Sequence, residues 1–279
     1  HCTRSSAALR NSRRSAASGT SSSTIARVPA KAVVPYLNER MLYQFQWGYR
    51  KDGRSLVEYR EWAKDELRPV LRRMLDIAIR DEILAPQAAY GYWPCAADGN
   101  DVILYDTDGE RELTRFSFPR QNKEGGLCIA DFFRDVASNE RDVIALQVVT
   151  MGRRASEAAR EWFAENRYQE YLLCHGLSVE MTEALAELWH FRIREEWGFA
   201  DQDGPSLAGL FRQQYRGGRY SWGYPACPDL EDNEKVAELL DAGRIGIEVN
   251  EETGFQYQPE QTTSAIILHH PKAKYFVAR

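Results

Sequence analysis

The residues best suited to ligand chemistry lie in one segment near the C-terminal end, residues 216–229, which reads Arg-Gly-Gly-Arg-Tyr-Ser-Trp-Gly-Tyr-Pro-Ala-Cys-Pro-Asp. Glycine frees the backbone and proline removes a donor, so this composition predicts a shaped loop rather than a helix or an interior strand. Its guanidinium groups, aromatic rings and approachable backbone amides would suit a small polar ligand. A buried structural turn uses the same residue types, and composition alone does not separate the two interpretations.

Few other residues in the sequence are suited to catalysis or metal binding. Glu39 is the only acid before Asp52, and Glu183 falls on a predicted helix, where it is most simply an exposed residue. His269 and His270 are adjacent, so a strand would point them to opposite faces, and the five cysteines contain no CxxC pair. No metal site is therefore predicted, and Rossmann, phosphate-loop, nucleophile-elbow and HExxH patterns are absent from the sequence.

Composition and charge exclude several classes of function. The 279 residues are 43% hydrophobic and 28% charged, and no apolar run reaches the ~20 residues that a membrane span needs. Residues 1–38 hold six basic groups and no acid, so the rest of the chain carries 30 basic against 41 acidic groups. An acidic domain argues against nucleic acid as its main partner. Scattered cysteines, odd in number, predict reduced thiols in a cytoplasmic protein.

The segment 1–28 is rich in Ser, Ala and Arg and nearly devoid of large apolar residues. Such a composition cannot bury enough surface to offset the entropy of ordering, so we predict a disordered linker or leader, with an organelle transit peptide as an open alternative. Residues 29–279 are predicted to fold, as one large domain or as two small ones, since their length supports a substantial core.

In the first third of that region, Pro35 suits the first turn of a short helix. The aromatic residues at positions 43, 45, 47 and 49 alternate as a strand with one aromatic face would. Apolar residues then recur at helical spacing over residues 56–84, with a break at Pro69 and a stronger helix from there to Ile83. The interleaved arginines of this helix are interpreted as a solvated face.

The remaining two thirds mix strands and helices. Apolar runs separated by Asp-Gly turns between residues 88 and 118 predict an antiparallel meander, and the β-branched run 143–149 predicts a central strand. Helices are expected over residues 156–166, 178–197 and 229–242, the first two capped by Ser156 and Ser178. The end, residues 262–276, is expected to form a strand, a turn and a second short strand.

Several of these segments together resemble the reactivation domain of cobalamin-dependent methionine synthase. The string Arg-Tyr-Ser-Trp-Gly-Tyr-Pro-Ala-Cys-Pro-Asp at 219–229 is followed in the family's order by Thr-Ser-Ala at 263, His-Pro at 270 and Lys-Tyr-Phe at 274. Phe-Pro-Arg-Gln at 118, Cys-Ile-Ala-Asp-Phe at 128, Tyr-Leu-Asn-Glu at 36 and Phe-Gln-Trp at 45 fit the same family. The resemblance covers residues 33–279 and implies a C-shaped α+β domain, built on a twisted antiparallel sheet with flanking helices.

The resemblance also implies a ligand, S-adenosylmethionine, and residues that contact it. Arg219 matches the arginine that grips the ligand carboxylate, and Ser221 matches a small residue whose backbone faces the ligand. Tyr224 matches the tyrosine beside the sulfonium. The remaining matches are acids and a second tyrosine, namely Glu183, Tyr275 and an N-terminal carboxylate that falls on Glu39 or, in another alignment, on Asn38. Ligand chemistry favours Glu39, because a carboxylate can pair with an ammonium.

The function implied is that of a helper domain of a methyltransferase. In the family, a methyl group from S-adenosylmethionine and an electron from a flavodoxin-type donor convert inactive cob(II)alamin, held by a cobalamin-binding domain, to methylcobalamin. This sequence lacks the cobalamin-binding signature and the zinc-thiolate and folate modules, so alone it is not expected to make methionine. A diverged module that senses S-adenosylmethionine or docks a partner, and a free-standing methyltransferase, are the alternatives. A free-standing methyltransferase is disfavoured, because the sequence lacks the Gly-rich Rossmann loop expected of that class.

Overall fold

The computed structural model describes residues 23–204 and 206–278, and within them seven strands form one antiparallel sheet. The strands follow the spatial order β4-β3-β2-β5-β7-β6, and β1 pairs with the first part of β2 beyond the end of β3. Their bounds are Thr24–Arg27 for β1, Gln87–Asp98 for β2, Asp101–Tyr105 for β3, Glu112–Ser117 for β4, Asp142–Thr150 for β5, Gly218–Ser221 for β6 and Thr262–Leu268 for β7.

This sheet confirms the predicted meander and the predicted central strand. β2, β3 and β4 pair in sequence order, and β5 lies between β2 and β7 with all nine of its residues buried. Ile144 and Leu146 pack on one face, whereas Val143 and Ala145 pack on the other, because successive strand residues point to opposite faces. A strand covered on both faces needs a nearly continuous apolar sequence, which residues 143–149 supply except at Gln147.

Helices cover both faces, which confirms the predicted α+β class with an antiparallel sheet flanked by helices. The α-helices are Ala30–Val33 (α1), Glu39–Met41 (α2), Leu56–Trp62 (α3), Arg68–Arg80 (α4), Arg153–Ala164 (α5), Tyr168–Trp197 (α6), Leu207–Leu210 (α7) and Asp232–Leu240 (α8). Short 3₁₀ turns occupy Val34–Tyr36, Ile129–Phe132, Val136–Ser138, Ala200–Gln202, Ala242–Ile245 and Glu251–Thr253, and π-helical turns occupy Leu42–Gln46 and Ala63–Leu67.

Proline positions predicted the helix starts well. Pro35 lies in the first turn of the 3₁₀ helix Val34–Tyr36, and Pro69 lies in the first turn of α4, after a π-helical turn joins α3 to it. The arginines of α4 are exposed, as expected. The helix ends at Arg80 rather than Ile83, and Glu82 then adopts a left-handed backbone that turns the chain toward β2.

The aromatic run 43–49 was predicted as a strand, and this prediction is wrong. Residues Leu42–Gln46 form a π-helical turn, in which Tyr43 and Trp47 approach each other with ring centroids 5.5 Å apart. The segment lies against α6 instead of joining the sheet, and the Trp47 indole N–H donates to the Leu173 carbonyl at 3.0 Å. Gly176 permits this approach, because a Cβ there would lie 3.0 Å from atoms of Trp47 and Gln46. Tertiary packing has overridden a period-two pattern.

The predicted serine caps are also wrong. Helix α5 begins at Arg153 after Gly152, and Ser156 instead donates its hydroxyl to the Gln261 side chain at 2.5 Å. Helix α6 begins ten residues before Ser178, which is buried within it and donates back to the Cys174 carbonyl at 2.8 Å. A serine buried in a helix can satisfy its hydroxyl in this way, so a cap-like residue does not by itself mark a helix start. The predicted end at Trp197 is correct.

The two ends of the domain differ from expectation. Residues 24–27 fall in the predicted disordered segment yet form β1, and the rest of that prediction, residues 1–22, lies outside the described residues. After β7 the chain makes a turn, and the second short strand expected before residue 276 is absent from the described part of the chain. Phe276 instead packs into the main core beside Phe132.

Two of the sequence motifs that carry the family resemblance form a structural contact with each other. Arg120, from the Phe-Pro-Arg-Gln string, makes two 2.7 Å hydrogen bonds to the carboxylate of Asp131, which belongs to the Cys-Ile-Ala-Asp-Phe string. The same carboxylate accepts from the Cys128 backbone N–H at 2.9 Å. This arrangement closes the connection between β4 and β5.

Candidate functional site

A cavity of about 440 Å³ lies between α6 and β6, within the size range of small-molecule sites. The first wall is one face of α6, the second is β6 with the loop after it, and the rim comes from the N-terminal segment and from residues near 210 and 275. Its lining residues are Tyr36, Asn38, Met41, Gln46, Val179, Glu180, Glu183, Ala184, Glu187, Leu210, Phe211, Gln213, Tyr215, Arg219, Ser221, Tyr224 and Tyr275.

Helix α6 turns three carboxylates toward the cavity. Glu180, Glu183 and Glu187 are spaced by three and four residues, which places them on one helical face. The helix is held against the sheet by hydrogen bonds at several heights. Gln147 of β5 donates to the Ala186 carbonyl at 3.1 Å, and the hydroxyls of two tyrosines on β2 donate to the Glu196 carboxylate at 2.7 Å. The acidic face therefore has a rigid base.

Strand β6 supplies the basic partner. Arg219 and Ser221 are two residues apart on this strand, so both side chains face the cavity. β6 is an edge strand paired only with β7 among the described strands, which reconciles it with a sequence unsuited to an interior strand. The loop prediction holds beyond Ser221, where the chain turns through Gly223 and Tyr224 reaches the cavity.

The Arg219 guanidinium lies between two of the acids. Its Nη2 is 3.3 Å from Glu187 Oε2, and its Nη1 is 3.8 Å from Glu183 Oε2. Burial by itself lowers the pKa of Arg219, but the charges of Glu187 and Glu183 outweigh it and raise the pKa above its ordinary value. Nη1 is buried without a hydrogen-bond partner among the described residues, so this cation keeps an unused donor at the cavity wall.

The third acid has a different environment. Glu180 is 5% exposed, and its carboxylate makes no hydrogen bond to another described residue. Burial, together with the nearby charge of Glu183, raises the pKa of Glu180 to about 7. The cavity thus combines one carboxylate that titrates near neutrality with Glu183, whose side chain is 44% exposed.

Aromatic rings line the opening. Tyr224 and Tyr275 are 54% and 41% exposed, and the ring of Tyr275 stacks on buried Tyr220 with centroids 6.4 Å apart. The charge of Glu183, more than burial, raises the pKa of Tyr224, so this phenol stays neutral near physiological pH. Exposed aromatic faces beside carboxylates are suited to a cationic ligand.

Behind the cavity lies a buried polar group of side chains. His190, one turn along α6 from Glu187, is fully buried, and neither of its ring nitrogens has a hydrogen-bond partner in the described structure. Burial, with Arg194 and Arg219 close by, lowers the pKa of His190 well below its usual range, so the ring is neutral. Its ring contacts that of Tyr215 edge-on at 4.8 Å, and Tyr215 lines the cavity.

Five of the six residues predicted to contact a ligand are brought together at this cavity: Glu183, Arg219, Ser221, Tyr224 and Tyr275. Glu39 is not among them, because its carboxylate faces outward and accepts three hydrogen bonds from Arg68 at 3.1–3.3 Å. The side chain of Asn38, the alternative position, caps α2, and this residue does line the cavity. The lining of this cavity thus includes Asn38 and leaves out Glu39, and a ligand contact of either residue stays a prediction.

Sequence reasoning missed Glu180 and Glu187. Their spacing with Glu183 was visible in the sequence, but a row of acids on a helix usually marks a solvated face. Only the sheet packing shows that Glu180 and Glu187 are buried, at 5% and 7% exposure. In the described part of the chain no cluster of three or more His, Cys, Asp or Glu residues could hold a metal ion.

Gly217, just before β6, lets this strand approach β7. Its φ of +89° suits glycine, and a Cβ at this position would lie 2.1 Å from the Leu268 carbonyl oxygen. We expect Gly217→Ala to lower the free energy of unfolding by about 2 kcal/mol, measured by urea denaturation. Gly243→Ala is the control, since a Cβ there meets nothing within 4 Å, and it should change stability by less than about 0.5 kcal/mol. Equal effects of the two variants would contradict this packing argument.

The fold and site define a class: an α+β domain whose open antiparallel sheet and long helix enclose a small-molecule cavity with paired acidic and basic groups. Residues 29–279 match the family model described as vitamin B12 dependent methionine synthase, activation domain. The chain belongs to this family of activation domains, which confirms the resemblance found in the sequence.

Individual relatives agree with this assignment. The chain is 44% identical over 267 residues to the methionine synthase of Mycobacterium tuberculosis, covering 89% of this chain and 22% of that protein. It is also 44% identical over 256 residues to the methionine synthase of Mycobacterium leprae, covering 86% and 21%. The chain thus spans about a fifth of the length of the curated relatives that it matches.

A solved structure has the same fold. The crystal structure of the MetH reactivation domain bound to AdoHcy superposes with a TM-score of 0.80 at 25% sequence identity, covering 92% of this chain and 81% of that one. Among the described residues, no helix combines the length and apolar character needed to cross a membrane.

Proposed function

We propose that the cavity between α6 and β6 binds S-adenosylmethionine and that the domain thereby supports reductive methylation of cob(II)alamin, which reactivates methionine synthase. The observation that carries this proposal is the charge arrangement of Arg219 and Glu183. The guanidinium Nη1 and the carboxylate Oε2 lie 3.8 Å apart at the cavity wall, the first without a hydrogen-bond partner and the second exposed. An amino-acid zwitterion offers the complementary pair of charges.

The other lining residues fit the rest of such a ligand. The rings of Tyr224 and Tyr275 flank the opening, where they would face a sulfonium. Asn38 can accept from the ligand's ammonium or donate to its carboxylate, since its amide does both. The relative bound to AdoHcy, the demethylated form of the same ligand, supports this assignment of ligand class.

The work of the domain would be to position a methyl group rather than to move protons. Cobalamin, held by another domain or chain of the enzyme, would supply the cobalt that accepts the methyl group, with an electron from a flavodoxin-type donor. Arg219 and Glu183 would anchor the amino-acid end, so that the sulfonium points out of the cavity between the tyrosines. The four described cysteines are unpaired and buried, which suits the reducing cytoplasm.

The binding half of the proposal is tested by calorimetric titration with S-adenosylmethionine. Arg219→Ala should weaken binding by about 2 kcal/mol, roughly thirtyfold, because a charge-assisted contact to the ligand carboxylate is lost. Arg212→Ala is the matched control: this nearby arginine is exposed and does not line the cavity, so its affinity should equal that of the unmodified domain. Equal affinity in all three proteins would contradict the site.

The methyl-transfer half needs the cobalamin-binding domain. Mixing it, loaded with cob(II)alamin, with this domain, a reductant and S-adenosylmethionine should produce the absorption spectrum of methylcobalamin. Omission of this domain is the control and should yield none. Ligand binding without any methylcobalamin would favour a module that senses S-adenosylmethionine or docks a partner.

A further inference from the structure

We infer that Glu187 is a positioning residue for Arg219: it fixes the guanidinium so that Nη1 can receive the carboxylate of the ligand. This inference rests on the proposed function and adds a residue that does not itself need to touch the ligand. Glu187 lies on α6 one turn beyond Glu183, and its side chain is 9% exposed, against 44% for Glu183. The buried acid therefore stands behind Arg219, and the exposed acid stands beside the opening.

The contacts divide the guanidinium into a held side and an unused side. Nη2 donates to Glu187 Oε2 at 3.3 Å, whereas buried Nη1 has no hydrogen-bond partner among the described residues. An unsatisfied buried donor is costly, so Nη1 gains most from an incoming anion. Because an arginine fork is planar, fixing one amino group also fixes where the other points.

Glu183 is the competitor for that unused side. At 3.8 Å from Nη1 it is too far for a hydrogen bond but near enough to attract the guanidinium. Without Glu187, the buried cation would turn toward Glu183, since a buried charge requires a partner. That movement would occupy both groups that the zwitterion needs, the cation for its carboxylate and the acid for its ammonium.

Apart from Glu183, none of the described groups close to Arg219 can replace Glu187 as a counter-charge. Its neighbour along α6, His190, is neutral because burial lowers its pKa, so it offers no counter-charge. Tyr215 is also close to Arg219, but burial raises the pKa of its phenol to about 12, so this group stays neutral and offers no counter-charge either. Glu180 lies two helical turns from Glu187, on the far side of Glu183.

The test compares Glu187→Gln and Glu187→Leu by calorimetry with two ligands, S-adenosylmethionine and its decarboxylated form, which keeps the amine and the sulfonium. A glutamine oxygen still accepts from Nη2, whereas leucine does not. We expect S-adenosylmethionine to bind about tenfold more weakly to the Leu variant and by an intermediate amount to the Gln variant. The decarboxylated ligand should lose clearly less affinity than S-adenosylmethionine in both variants, because only the contact of its amine with Glu183 is disturbed.

The decarboxylated ligand also reports on folding, because an unfolded variant would bind neither compound. Equal loss for both ligands would overturn the inference in favour of a general structural role. Unchanged or tighter binding of S-adenosylmethionine to the Leu variant would overturn it too, since Glu187 would then only neutralise Arg219. If the unmodified domain bound no S-adenosylmethionine, the proposed function itself would fail, which is a different result from either of these.

Discussion

Replacing Asp203 by alanine is expected to lower the free energy of unfolding by about 3–5 kcal/mol. Asp203 holds Arg194 through hydrogen bonds of 3.0 Å to Nε and 2.7 Å to Nη2, and the arginine side chain is completely buried. The substitution would leave a guanidinium in the core without a counter-charge, which is among the most costly single changes in a protein. Chemical denaturation monitored by circular dichroism measures the loss.

A control of similar geometry but different burial isolates the physical cause. Glu161 receives two hydrogen bonds from Arg154 at 2.7 and 3.0 Å, yet both side chains are about half exposed. Glu161→Ala should therefore cost less than about 1 kcal/mol. Adding Arg194→Met to Asp203→Ala should recover part of the loss, because it removes the unpaired charge. A cost below 1 kcal/mol for Asp203→Ala alone would show that water reaches Arg194.

This buried pair also connects stability with the site. Arg194 belongs to α6, Asp203 lies beyond its end, and the Arg194 guanidinium stacks 4.5 Å from the ring of Tyr215, which lines the cavity. The pair therefore fixes the chain that follows α6 against the helix that carries the acids. Loss of Asp203 should loosen that side of the cavity as well as lower stability.

Elements with one dominant local signal were predictable from the sequence. The β5 run has no polar interruption apart from Gln147, and Pro69 suits the first turn of a helix better than its interior, so both were placed correctly. Elements whose conformation depends on tertiary packing could not be predicted from the sequence. The aromatic alternation at 43–49 would suit a strand, but a π-helical turn buries Tyr43 against α6. The local sequence carries no signal for that contact.

For the candidate site, prediction from the sequence failed where it had to distinguish an exposed acid from a buried one. The segment around Arg219 stood out through its unusual composition, and its neighbours followed from the family resemblance. Glu187 and Glu180 looked like solvated helix residues, because their burial depends on a sheet contributed by distant parts of the chain. Glu39 looked chemically preferable to Asn38, but Arg68 takes up its charge outside the cavity.

The second large effect concerns Glu180. Its folded-state pKa is raised from an ordinary 4.5 to about 7, so the folded protein holds a proton that the unfolded chain releases earlier. This group's contribution to stability is therefore full below pH 4.5 and is lost as the pH rises through about 7. Glu180→Gln, which stays neutral, should be more stable than the unmodified domain by about 3 kcal/mol near pH 8.

The difference between the two proteins should vanish near pH 4, where both side chains are neutral, and urea denaturation across the pH range measures it. Glu183→Gln is the companion variant: it removes the neighbouring charge that helps to raise the pKa of Glu180, so the pH range over which stability is lost should move to lower pH. A constant stability difference between Glu180→Gln and the unmodified domain would contradict the raised pKa.

A carboxylate that destabilises the fold when ionised needs a compensating role, and the proposed ligand supplies one. The groups facing Glu180 across the cavity include Glu183 and Arg219, of which the first raises its pKa and the second is already paired with Glu187. The positive charge of the bound ligand, whose ammonium would lie beside Glu183, would favour the ionised form. The ratio of S-adenosylmethionine affinity between the unmodified domain and Glu180→Gln should therefore rise with pH and level off above about pH 7. A ratio that does not change with pH would mean that the cation lies away from Glu180.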